Sequence, residues 1–208
     1  AAFGLPLLDK LGREKKEVSC HCMRSLILTP TRELASQIEM NLKEYGQDLE
    51  LRTKTVFGGV GKNPQILELE LGLDILVATP GRLLDLMREG YVSYKELEVL
   101  ILDEADSMLD MGFLGDVKKV IAEIPSEKQT VLFSASMPAQ IQELASSILR
   151  DPVKVEVNPE SSIIETVDHR IYQIEKSNKM YLLMSLLENE EFRSVLLFAR
   201  QNLVQIEL

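Results

Sequence analysis

The clearest chemistry in the chain sits directly behind a run of four apolar residues: Val99, Leu100, Ile101 and Leu102 lead into Asp103-Glu104-Ala105-Asp106. Carboxylates at the end of a buried strand suit magnesium, which takes one or two of them together with phosphate oxygens and water. In that role Asp103 holds the metal through water. Glu104 serves the same metal site and positions or deprotonates an attacking water. A plainer reason for acidic residues here is that they favour a helix N-terminus. The next apolar run, Val131 to Phe133, ends in Ser134-Ala135-Ser136, whose hydroxyls are of a type that hydrogen-bonds a carboxylate such as Asp106 from the neighbouring strand end.

Two further strand ends repeat one pattern, Thr29-Pro30-Thr31-Arg32 and Thr79-Pro80-Gly81-Arg82. Threonine caps a helix, proline suits its first turn, and an arginine beside free backbone N–H groups favours an anion. Either motif alone reads as a good helix start; the repetition suggests two grips on successive phosphates of one strand. Phe57-Gly58-Gly59 ends another β-like run, where glycine lets a backbone approach a ligand closely. The following Gly61-Lys62 is not a phosphate-binding P-loop. Val56 stands where its first glycine belongs and Asn63 where its hydroxyl belongs.

What positions these residues is a recurring unit of short apolar run, small or polar residues, and helical pattern. The runs are Leu26 to Leu28, Ile75 to Ala78, Val99 to Leu102, Val131 to Phe133 and Val195 to Phe198, none with polar alternation. Strands covered on both faces read this way. Between them lie helical stretches, among them Phe113, Leu114, Val117, Val120, Ile121 and Ile124, which Pro125 is expected to stop. The fold class is therefore α/β, a parallel sheet with helices on both faces. Ligands of such sheets gather beyond the carboxyl ends of the strands, where all the motifs above fall. Val153, Val155 and Val157 alternate with Lys154 and Glu156 and predict a half-exposed strand closing a first domain over residues 1–157. Residues 158–165 read as a linker, and 166–208 as the beginning of a second domain too short for its own core.

A net charge of −10 excludes a protein that holds nucleic acid by bulk electrostatics, so any such contact is local. Cys20 and Cys22, flanking His21, are too close in sequence for a disulfide framework and fit a reducing, cytoplasmic setting. With His169 the only other histidine, zinc is not expected. No apolar run approaches the roughly 18 residues of a membrane span.

In identity, order and spacing, Pro30-Thr31-Arg32-Glu33-Leu34-Ala35, Gly58-Gly59, Thr79-Pro80-Gly81-Arg82, Leu102-Asp103-Glu104-Ala105-Asp106 with Met108 to Phe113, and Ser134-Ala135-Ser136 resemble the DEAD-box ATP-dependent RNA helicases. The stretches Val77 to Leu86 and Arg150 to Val157 look most like the bacterial RhlE-type branch. The resemblance implies a RecA-like first domain and the start of a second, with ATP and Mg2+ as cofactors. It also implies RNA as partner, gripped by its backbone without regard to sequence. On that footing Asp103 and Glu104 serve magnesium and water, while Asp106, Ser134 and Ser136 link hydrolysis to RNA. Pro30, Thr31, Arg32, Gly58, Gly59, Thr79, Pro80, Gly81 and Arg82 line the RNA. Most members carry threonine where Ser136 stands, so looser coupling is expected. Leu197-Phe198-Ala199-Arg200-Gln201 matches the first second-domain motif loosely. The chain opens on Ala1, Ala2 and Phe3 without methionine and runs into a helix through Leu5, Leu7, Leu8 and Leu11. The adenine-reading segment and P-loop are accordingly expected upstream, leaving a fragment inactive on its own. The alternative is a truncated, non-catalytic module that binds RNA or a helicase partner; a third reading is a DNA-directed relative.

Overall fold

In the first 153 residues every unalternated apolar run is a strand. The computed structural model describes residues 1–157, 170–188 and 194–198. The chain divides into two compact units, Ala1–Val153 and Lys154–Leu208. Among the described residues, β1 (Met23–Leu28), β2 (Thr53–Val56), β3 (Leu73–Ala78), β4 (Val99–Leu102) and β5 (Gln129–Leu132) form one sheet in the order β2-β3-β1-β4-β5. Every pairing is parallel.

The strands are apolar throughout because both faces are covered. Successive residues point to opposite faces, and the core splits accordingly. Ile27, Ile75, Val77, Val99 and Ile101 face a layer holding Leu7, Leu8 and Leu11 of α1 (Gly4–Arg13) and Ala35, Ile38 and Leu42 of α2 (Arg32–Tyr45). Leu26, Leu28, Leu76, Leu100 and Leu102 face the other layer. That layer is built from α3 (Asn63–Glu70), α4 (Pro80–Arg88), α5 (Ala105–Asp110), α6 (Leu114–Ala122) and α7 (Ala139–Ile148). Each fully covered leucine or isoleucine contributes about 1.5–3 kcal/mol. The predicted parallel sheet with helices on both faces is thus what the chain forms.

Two boundaries depend on backbone chemistry. α6 ends at Ala122, short of Pro125, where the Glu123 N–H turns back to the Val120 carbonyl. The turn from α3 into β3 needs Gly72, whose φ is +67° and whose hypothetical Cβ would drive into the Val18 carbonyl oxygen.

Two predicted strands are not strands. Val153, Val155 and Val157 lie in irregular backbone, 90%, 84% and 86% exposed. Val195 to Phe198 is irregular and exposed as well. Alternation or an apolar run makes a segment fit to pair, but a strand exists only against a partner's hydrogen-bonding groups, and no described residue supplies one. In the second unit a 3-10 turn, Lys176–Asn178, leads into α8 (Lys179–Leu187). The linker assigned to 158–165, His169, and Ala199, Arg200 and Gln201 lie outside the described residues.

Candidate functional site

Because the strands are parallel, their carboxyl ends meet at one edge, and there the ladder runs one rung past each strand. Thr29 N–H donates to the Ala78 carbonyl at 3.0 Å, Thr79 N–H to Val56 at 3.0 Å, Asp103 N–H to Leu28 at 2.9 Å, and Phe133 N–H to Leu102 at 2.8 Å. The two threonine loops, the glycine loop after β2, the acidic turn and the serine loop therefore leave the sheet at the same level.

The acidic turn is tightly held. Glu104 has φ 52° and ψ 55°, the left-handed region, which costs a non-glycine residue about 1–3 kcal/mol and persists only where its surroundings enforce it. Here they do. The Phe133 N–H donates to Leu102 just before the acid pair, and the Phe133 carbonyl accepts from Ala105 N–H at 3.0 Å just after it. Main-chain bonds thus bracket Asp103-Glu104 and turn it out of the sheet. Burial first, and the neighbouring Glu104 charge second, push the Asp103 carboxyl above its usual range. Neither carboxylate forms an ion pair among the described residues. Two adjacent carboxylates, one half-buried and uncompensated, are a donor set that fits a divalent cation. No group of three or more His, Cys, Asp or Glu able to hold a metal occurs among the described residues.

The serine loop is joined to this turn as expected, through more bonds than the sequence suggested. Asp106 Oδ2 accepts the Ser136 backbone N–H at 2.8 Å and its hydroxyl at 2.9 Å. The Ser134 hydroxyl accepts from Asp106 N–H at 3.1 Å and donates to the Ser136 carbonyl at 2.7 Å. Burial pushes Asp106 up, but the Ser136 hydrogen bonds outweigh it and hold the carboxyl below its usual range. The latch is thus complete at neutral pH and lost as pH falls through that lowered value.

The repeated threonine motifs turn out to be out of register with each other. Thr29 is buried at the end of β1; Thr31 is the cap of α2, its hydroxyl accepting from Leu34 N–H at 3.2 Å. In the second motif Thr79 itself occupies the cap position, without a side-chain bond, and Pro80 opens α4. Both arginines turn toward the glycine loop or their own helix. Arg32 Nε pairs with Glu33 at 2.5 Å, and the hypothetical Cβ of Gly59 (φ +81°) lies 3.7 Å from Arg32 Nη1. Arg82 Nη2 donates to the Val60 carbonyl at 3.0 Å, and its buried Nη1 has no partner among the described residues. Gly58 and Gly81 have open space where a side chain would begin. Pro30, Thr31, Arg32, Gly58, Gly59, Thr79, Pro80, Gly81 and Arg82 thus come from three loops at one edge, with the glycine loop bonded to Arg82 and lying beside Arg32.

Sequence reasoning missed two contributors. Phe133 acts through its main chain, which has no sequence signature, and its ring lies 5.4 Å from that of Phe3. This contact places the start of α1, uncapped by any side chain, beside the loop that follows β5. Gln65 on α3 binds the backbone of the glycine loop.

Residues 1–144 match the DEAD/DEAH box helicase family model. The RNA helicase CrhR of Synechocystis sp. is 38% identical over 201 residues, 96% of this chain and 40% of that protein. The DEAD-box ATP-dependent RNA helicase CshA of Streptococcus pneumoniae is 36% identical over 200 residues, 96% of this chain and 37% of that protein. The chain therefore spans about two fifths of the length of these curated relatives. Among solved structures, a DEAD box protein from the hyperthermophile Methanococcus jannaschii superposes with a TM-score of 0.68 at 32% identity, covering 92% of this chain and 50% of that one.

Proposed function

The chain belongs to the DEAD/DEAH box helicase family, and on that premise we propose that it carries part of an enzyme that binds ATP and Mg2+, grips RNA by its backbone and couples hydrolysis to local unwinding. The observation that carries this reading is the single carboxyl edge, where the Asp103-Glu104 turn and three phosphate-suited loops share one rigid sheet. Magnesium, when bound with ATP, would offset charge on the phosphate oxygens and order water near them. Asp103 would hold that cation. Glu104 accepts a proton from the attacking water at its carboxylate. Asp106 ties this turn through Ser136 and Ser134 to the loop after β5, a direct mechanical link by which RNA engagement and hydrolysis sense each other. Ser136 supplies the hydroxyl that threonine supplies in most of the resembling proteins.

On the RNA side, Thr31, Arg32, Gly58, Gly59, Thr79, Gly81 and Arg82 offer donors to phosphate, with Pro30 and Pro80, which have no N–H, shaping the two threonine loops; contacts to the backbone rather than to bases leave binding indifferent to sequence. No described helix is long and apolar enough to cross a membrane. The free thiols of Cys20 and Cys22 accord with a cytoplasmic protein.

Arg32→Ala and Arg82→Ala test the interface. Each is expected to weaken single-stranded RNA binding equally across unrelated sequences. Each is also expected to reduce the slope of log affinity against log salt by about 0.7, one phosphate contact's worth. Fluorescence anisotropy over a salt series measures both quantities, and loss confined to some sequences would overturn the backbone reading. RNA-stimulated ATP hydrolysis by the full-length protein tests the enzymatic half. A DNA strand of the same sequence, lacking the 2′-hydroxyl, discriminates against a DNA-directed relative.

A further inference from the structure

The glycine loop after β2 has an asymmetry that its own sequence does not explain. Past Val56, whose carbonyl takes the last ladder bond from Thr79, Phe57 has no strand beside it. The side chain of Gln65 stands in for one. Its Oε1 accepts the Phe57 N–H at 3.2 Å, and its Nε2 donates to the Phe57 carbonyl at 3.2 Å and to the Gly61 carbonyl at 3.3 Å. Arg82 covers the Val60 carbonyl at 3.0 Å. Lys62 secures the far end of the loop on Glu89, at the end of α4, at 2.5 and 2.7 Å. The acceptors at Phe57, Val60 and Gly61 are thereby occupied. The N–H groups of Gly58 and Gly59 have no hydrogen-bond partner among the described residues. A loop whose flanking carbonyls at Phe57, Val60 and Gly61 are held by side chains, with the N–H groups of Gly58 and Gly59 left free, can present those donors to an anion.

We propose that Gln65 is a positioning residue for the RNA interface, acting as a one-residue strand surrogate that fixes the Gly58-Gly59 loop with its donors outward. The role rests on the reading of this edge as an RNA-backbone interface, and it goes beyond that reading by assigning the loop's geometry to a side chain that touches no RNA. Gln65 is half-buried on the second turn of a short helix, and its amide supplies both a donor and an acceptor, as pairing with a peptide group requires. An aliphatic residue of the same length keeps the packing but frees two carbonyls to turn toward the phosphates and repel them.

The test uses Gln65→Met, near-isosteric and uncharged, in the 208-residue chain, with Gln65→Asn, which keeps the amide one methylene short, as a second variant should the first fail to fold. Amide hydrogen exchange at Phe57, the loop N–H that Gln65 accepts, is expected to quicken by about tenfold, the loss of about one net hydrogen bond. Affinity for single-stranded RNA is expected to fall by about tenfold on the same arithmetic. The salt slope stays at the parent value, because no phosphate contact is lost, in contrast to the smaller slope of Arg82→Ala. A residue that only stabilised the fold would lower the melting temperature and leave RNA affinity of the folded variant unchanged. Faster loop exchange with weaker binding and an unaltered slope supports the proposal. Unchanged exchange, unchanged affinity, or a reduced slope overturns it. Failure of the parent chain to bind RNA overturns instead the interface reading on which the proposal rests, and the exchange experiment distinguishes the two failures because it needs no RNA.

Discussion

Glu104→Gln in the full-length protein is expected to retain ATP-dependent RNA binding while slowing hydrolysis by roughly 10²–10⁴-fold, the range general-base assistance contributes. The geometry makes this substitution unusually clean. Glu104 is held in the left-handed region by main-chain bonds from Phe133 on either side of the acid pair, so glutamine inherits the same backbone, the same length and similar strain. What it loses is the charge and the basic oxygen. Asp103 keeps its place in the turn, and with it the carboxylate proposed to hold a cation. Its titration reports the change independently. Burial and the Glu104 charge together raise the Asp103 carboxyl, and removing the second cause moves its midpoint back toward the ordinary carboxylate range, readable by carboxyl 13C NMR. Single-turnover hydrolysis at the parental rate would overturn the role assigned to Glu104, whereas an unshifted Asp103 midpoint would show that the two carboxylates do not feel each other.

The sequence disclosed the sheet because its strands are buried on both faces. Ile101 packs on one layer and Leu102 on the other, so nothing polar interrupts them and the run itself marks the strand. It disclosed the acid pair and the Asp106–Ser136 contact because both depend on side-chain types at strand ends. It failed where structure depends on a partner. Val153 to Val157 has strand alternation and Val195 to Phe198 a strand's apolar run, yet both are exposed irregular backbone. The repeated motifs share Thr-Pro-x-Arg, and Thr29 and Thr79 each complete a ladder rung, yet one helix starts two residues later relative to the motif, since Thr31 caps α2 whereas Thr79 itself caps α4. Main-chain devices such as the Phe133 bracket carry no residue signature at all. At the opposite, amino edge the first strand was read from Leu26, because Arg24 and Ser25 are polar; both are inside, at 1% and 0% exposure.

Arg24→Met is expected to destabilise the first unit by about 3–5 kcal/mol, the cost of removing one partner from a buried ionic group. Arg24 joins three elements. Its Nε donates to Glu98 Oε1 at 2.9 Å, ahead of β4, and its Nη1 to Asp74 Oδ1 of β3 at 3.4 Å and to the Leu11 carbonyl of α1 at 3.1 Å. Methionine fills the volume but leaves the Asp74 carboxylate, 8% exposed, without a counter-charge. Arg24→Met combined with Asp74→Asn is expected to recover much of the loss. The amide removes the stranded charge and still accepts the Arg52 N–H that Asp74 Oδ2 takes at 2.9 Å, and neutral replacements of a buried pair often cost little. The pH dependence gives a second readout. Burial alone would raise Glu98, but hydrogen bonds from Arg24 and Lys16 overcome it and hold the carboxyl below its usual range. Its contribution is therefore present above the unfolded carboxyl value and lost as pH falls through the folded one. Without Arg24 that acid-side loss shrinks to the part Lys16 maintains. Urea unfolding at neutral and acidic pH measures both effects, and equal midpoints for parent and Arg24→Met at neutral pH would show that the three-element junction does not hold the sheet's amino edge together.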